Sequence, residues 1–78
     1  MELYKGDIKK LKKAFDSTSV GAGAVATSGK MSVNTVKKIL KGEGDGVLEV
    51  KANGMINGLN ENGAKPKVVF DDIFTLVK

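Results

Sequence analysis

From Ser32 to Gly42 the chain spells out one complete helix, with a start, a stop and two faces. Ser32 suits the N-cap, because its hydroxyl can accept from an amide of the first turn. Gly42 suits the position just past the end, where the left-handed conformation carries no Cβ penalty. Between them Val36, Ile39 and Leu40 share one face, while Asn34, Lys37, Lys38 and Lys41 lie on the other. The rest of the chain must cover that apolar stripe and leave the lysine-rich face outside.

It must do so without covalent help. The chain has no cysteine and no histidine, which excludes disulfides, thiolate zinc sites and every His-dependent triad or general base. Its 78 residues are the length of one domain, in which about 60% of the unfolded surface is buried. An apolar content of 41% suffices for a core. No apolar run approaches the roughly 20 residues of a membrane span. Met1 to Asp7 has no apolar signal-peptide core, so a cytoplasmic location is expected.

Elsewhere the periodicity is shorter or mixed. Tyr4, Ile8, Leu11 and Phe15 form a helical stripe that predicts a helix over residues 4–15, with Lys5, Lys9, Lys10, Lys12 and Lys13 around the rest of it. Asp16 to Ser19 ends that helix and offers a cap for the next. Residues 20–28 are small, so they predict a short packed helix starting near Ser19 that lets another helix approach closely. Gly29-Lys30 is a break, and Glu43 to Gly46 a flexible connector. For residues 47–61 two readings stand. Leu48, Ala52, Met55, Ile56 and Leu59 make a complete helical stripe, whereas Asn53-Gly54 is a hairpin signal. The helix is favoured because strand alternation is poor after Met55. In the tail, a strand at Lys67–Phe70 could precede a helix begun by Asp71 and Asp72. The expectation is therefore an all-α fold, a compact bundle of four to five short helices, with a short strand near the C-terminus left open.

Residues 19–42 meet the demands of a helix-turn-helix. The first helix needs a small residue where the second crosses it, and Ala26 supplies one. The turn needs an apolar plug, and Met31 supplies it. The second helix needs two inward apolar residues, and Val36 and Ile39 supply them. The stretch from Val25 to Gly42 resembles the helix-turn-helix of bacterial and phage repressors, of the lac-repressor and lambda-repressor/Cro types. The segment from Ile56 to Pro66 resembles the closing helix and exit of lac-repressor-type headpieces. Those families usually carry glycine directly ahead of the apolar plug. Here Lys30 stands there, with Gly29 one earlier. Either Lys30 takes the left-handed conformation, uncommon outside Gly and Asn, or the turn is shifted or lengthened.

The resemblance implies a small transcriptional regulator, a repressor of a phage, plasmid or bacterium, that binds double-stranded DNA with Ser32–Leu40 in the major groove. Base edges would be met by Ser32, Val33, Asn34, Lys37 and Lys38. Asn pairs with adenine, Lys donates to guanine, and Val touches a thymine methyl. Phosphates would be met by Lys30, Thr35 and Lys41, and by Ser19 through the N-terminus of the helix over residues 20–28. No arginine is present, so the commonest guanine contact is missing. The charge distribution suits a polyanion: residues 1–42 hold nine lysines and three acids, residues 43–78 four lysines and six acids, for a net charge of +4.

The apolar tail, residues 67–78, with Phe70, Ile73, Phe74, Leu76 and Val77, is a candidate homodimer surface, or else closes the chain's own core. A second reading is a protein-interaction adaptor on the same fold, using the acidic half and the tail. An enzyme is not expected, since no carboxylate pair has a telling spacing. No cofactor or metal is expected either: Gly42, Gly44 and Gly46 lack the Gly-Lys-Ser/Thr ending of a nucleotide loop, and Glu43, Asp45 and Glu49 lack a calcium-loop pattern.

Overall fold

The computed structural model describes residues 2–77. Strand β1 (Leu3–Gly6) leads into α1 (Ile8–Thr18), α2 (Ala22–Gly29) and α3 (Val33–Lys41). A two-residue strand β2 (Val47–Leu48) opens directly into α4 (Glu49–Glu61). A single-turn helix α5 (Phe70–Ile73) and strand β3 (Phe74–Leu76) complete the chain. The fold is mostly helical, but the three strands form an antiparallel sheet in the order β2-β1-β3.

The sheet corrects the all-α expectation, and it does so at Tyr4. Tyr4 does not begin the first helix. It lies opposite Val47 on one side and Leu76 on the other, in the central strand. The helix starts only after Asp7, whose carboxylate accepts from the Lys10 amide at 3.2 Å. Asp7 is also tied backward, its own amide donating to the Ile73 carbonyl at 2.8 Å. An N-cap three residues into the apolar stripe thus outweighs the stripe's periodicity. The helix then runs three residues past Phe15, to Thr18, and Ser19 closes it with φ 60°. The tail is corrected in the same way. Residues 67–69 are not a strand; the one-turn helix comes first and the strand follows it.

The core lies between the helices. Leu11, Val25, Val36, Met55 and Leu59 are fully buried, with Ile39, Ala52, Ile56, Ile73 and Phe74 around them. Met31 and Leu40, expected inside, are half-buried against this cluster. Ile73 and Phe74, two of the five residues expected at a dimer surface, lie within the chain's own core. Val69 and Val77 stay exposed.

The helical reading of residues 47–61 holds from Glu49 onward, and Gly54 explains the competing signal. It makes no turn. It sits in mid-helix where α4 crosses α2, backbone to backbone. A Cβ on Gly54 would stand 2.6 Å from the Gly29 carbonyl oxygen, and one on Gly58 would stand 2.5 Å from that of Val25. The seam needs glycine for closeness, and Asn53-Gly54 only looks like a hairpin.

Candidate nucleic-acid interface

The two helices α2 and α3 meet through a turn of three residues, Lys30 to Ser32. Lys30 takes the left-handed conformation itself, at φ 56°, ψ 47°. Its amide donates to Thr27 O at 3.2 Å, and the Met31 amide donates to Ala26 O at 2.9 Å, which satisfies the open carbonyls of α2. The turn is neither shifted nor lengthened. Gly29, one residue early, is explained by α4: a Cβ there would stand 2.3 Å from the Gly54 carbonyl oxygen and 2.9 Å from the Met31 methyl. Glycine is required at 29 by packing, so the left-handed position falls to a lysine.

Ser32 caps α3 as expected. Its Oγ accepts from the Thr35 amide at 3.2 Å and lies 2.9 Å from Thr35 Oγ1. The two hydroxyls expected at a base and a phosphate are therefore joined to each other at the helix start. Beyond them α3 divides cleanly. Val36 and Ile39 are buried, while Val33, Asn34, Lys37, Lys38 and Lys41 are all exposed. At about 100° per residue, those five side chains fan over an arc of roughly 140°. Lys38 also borders a cleft of about 190 Å³, together with Lys5, Ile8, Gly42 and Glu43. Among the described residues the single ion pair is Lys10–Asp72 at 3.0 Å, so neither Lys30 nor any lysine of α3 is in ion-pair contact with a carboxylate.

Ser19 falls outside the unit. It is the C-cap of α1, and α2 begins after Gly21, which offers no side-chain cap. Nothing lies within 4 Å of the Cβ positions of Gly21 and Gly23. The N-terminus of α2 is thus bare backbone, two residues later than expected, and its first amides are the groups Ser19 was expected to present. The spacing Gly21-x-Gly23 was the available signal. Lys30 and Lys41 are exposed at the two ends of the α3 face.

The chain matches no protein-family model, no curated protein and no solved structure.

Proposed function

We propose that this protein binds double-stranded DNA in a sequence-dependent way, with α3 in the major groove, as a small regulator of transcription of the helix-turn-helix repressor kind. The observation that carries this reading is the division of α3. Its inner face is anchored in the core by Val36 and Ile39, and its outer face presents Val33, Asn34, Lys37 and Lys38 with no carboxylate in ion-pair contact. Asn34 supplies the donor–acceptor pair that suits adenine, Lys37 and Lys38 the donors that suit guanine, and Val33 an apolar surface for a thymine methyl. Ser32 stays among the base-contact residues through its position at the helix start. Lys30, Lys41, Thr35 and the open α2 amides serve the phosphates. Such a role places the chain in the cytoplasm; no helix among the described residues is long and apolar enough to cross a membrane.

The test is a fluorescence-anisotropy titration of a labelled duplex, with competition by a duplex pool selected for binding. Non-specific affinity in the range of about 10⁻⁴ to 10⁻⁶ M, steeply weakened by salt, is expected at least. Lys37→Gln/Lys38→Gln should erase the preference for selected duplexes. No binding by the parent chain up to about 100 µM at low salt would end the proposal.

A protein-interaction role has one observation in its favour. Leu3 pairs with Leu48 across the sheet and its carbonyl accepts from the Val77 amide at 2.8 Å, so three aliphatic residues stand in a row across the strands. Leu48 and Val77 are exposed. This row, rather than Ile73 and Phe74, is where a second copy or an adaptor partner would dock.

A further inference from the structure

A second lysine cluster lies away from α3. The loop after α4 folds back along α1 and brings Lys65 and Lys67 beside Lys10 and Lys13, around a depression of about 220 Å³. Asp72 is the one carboxylate on its rim, and it is already bonded to Lys10 Nζ at 3.0 Å. Three lysines thus remain without an acidic partner among the described residues.

The loop that carries two of them is pinned. The Asn60 side chain grips Val68 twice, donating to its carbonyl and accepting from its amide, both at 2.8 Å. The Lys65 amide donates to Ser17 Oγ at 3.0 Å, and that hydroxyl donates to Ala14 O at 2.6 Å. Lys65 and Lys67 therefore flank Pro66 on a fixed backbone. The three lysines without an acidic partner repel one another, and a polyanion relieves that repulsion while releasing its own counterions.

The cluster faces elsewhere than α3. The end of α3 abuts Ile8, since a Cβ on Gly42 would stand 2.8 Å from the Ile8 Cδ1. Lys10 lies about 200° around α1 from Ile8, and Lys13 about 140°. Lys10 and Lys13 therefore lie on the side of α1 turned away from the end of α3.

We propose that Lys10, Lys13, Lys65 and Lys67 form a second phosphate-backbone site, so that one chain holds two duplex segments together. The inference rests on the DNA-binding reading of α3. It assigns the α1–loop face no sequence discrimination, because lysines on phosphates carry none.

The experiment is a capture assay. One duplex is fixed to a bead, the full chain is added, and retention of a second, labelled duplex is measured against salt. Alongside the parent run Lys13→Gln/Lys65→Gln/Lys67→Gln, the same three positions changed to Arg, and Lys37→Gln/Lys38→Gln. Circular dichroism and a denaturation midpoint establish that each variant folds. The Gln triple variant is expected to lose about tenfold or more of the capture, and to lower its log–log salt slope by about 2 to 3. It should keep the parent's preference on a single duplex, and the Arg variant should restore capture. Three results overturn the proposal while leaving DNA binding by α3 intact. The parent binds one duplex but captures no second. The Gln triple variant captures as well as the parent, which assigns bridging to self-association. Or that variant loses single-duplex preference in step with capture, which makes the cluster part of one extended site. Absence of any duplex binding by the parent removes the α3 reading as well.

Discussion

Lys30 carries a conflict that one substitution can expose. Its backbone is left-handed at φ 56°. For a residue with a Cβ that conformation costs about 1–2 kcal/mol. Glycine removes this cost but adds about 0.4–1 kcal/mol of chain entropy to the unfolded state. Lys30→Gly should therefore stabilise the fold by roughly 0.5–1 kcal/mol, a rise in Tm of about 2–8 °C for a chain of this size. It should also weaken duplex binding and lower the salt slope by about 1, since it deletes one phosphate contact. Gly29→Ala should go the other way. Its new methyl would meet the Gly54 carbonyl oxygen at 2.3 Å, and that neighbour is backbone on a second helix. Overpacking of this kind costs about 1–3 kcal/mol or more. Urea denaturation of both variants, paired with anisotropy titrations, is the assay. A Lys30→Gly chain that is less stable than the parent would refute the strain argument, and would mean that the lysine stem contributes more by packing than its backbone loses. A Gly29→Ala chain of parental stability would refute the account of why the glycine sits one residue early.

Ser32→Ala should cost about 1 kcal/mol by freeing the Thr35 amide, measured by denaturation, and should weaken binding less than Lys37→Gln/Lys38→Gln. Asn60→Leu leaves both the amide and the carbonyl of Val68 without that partner, and should destabilise the chain by about 1–3 kcal/mol, with hydrogen exchange rising first in residues 64–69. Tyr4 is the chain's one tyrosine, and burial, then the carboxylates of Glu49, Glu2 and Asp71, raise its pKa above the ordinary 10.0. The protonated form is the one the fold favours. Its contribution is complete below the ordinary value and is lost as pH climbs through the raised one. The tyrosinate absorbance should therefore appear at higher pH in the folded chain than in urea, and equal midpoints in the two would contradict the placement of the Tyr4 hydroxyl near those carboxylates.

What could be read from the sequence follows the range of the interactions. The helix from Val33 to Lys41, with Ser32 and Gly42 at its ends, was legible because caps and stripe are all local. The helical character of residues 49–61 was legible for the same reason. The sheet was not. Each strand is two to four residues long, too short for alternation to register, and Tyr4, Val47 and Leu76 find one another only through long-range pairing. Within the candidate site, the solvent face of α3 could be read from spacing alone. The start of α2 could not, since Ser19 is as good a cap on paper as any, and only the left-handed end of α1 removes it from the role. Lys65 and Lys67 were visible as residues but not as neighbours of Lys10 and Lys13, because Asn60 and Ser17 hold them there.

Apart from Lys30, the groups that orient α3 are not the ones that would touch DNA. α3 reaches the core through Val36 and Ile39, but its angle is set by the turn at Lys30, and that turn hangs from the end of α2. α2 is a poor helix by itself, with three glycines in and before its eight residues and no side-chain cap. It is held instead by α4, along a seam where Gly29 meets Gly54 and Val25 meets Gly58 at backbone distance. Asn62 closes the far end of that seam, its amide donating to Ser28 Oγ at 3.0 Å and to Gly58 O at 2.7 Å. A displacement of α4 should therefore tilt α2 and carry α3 with it. Substitutions at Gly54 or Gly58 should alter recognition as well as stability, though neither residue can reach a duplex seated on α3. A Gly58→Ala chain that folds yet prefers the same duplexes as the parent, with equal selectivity, would show that α3 is oriented by its own core contacts and not by the seam behind it.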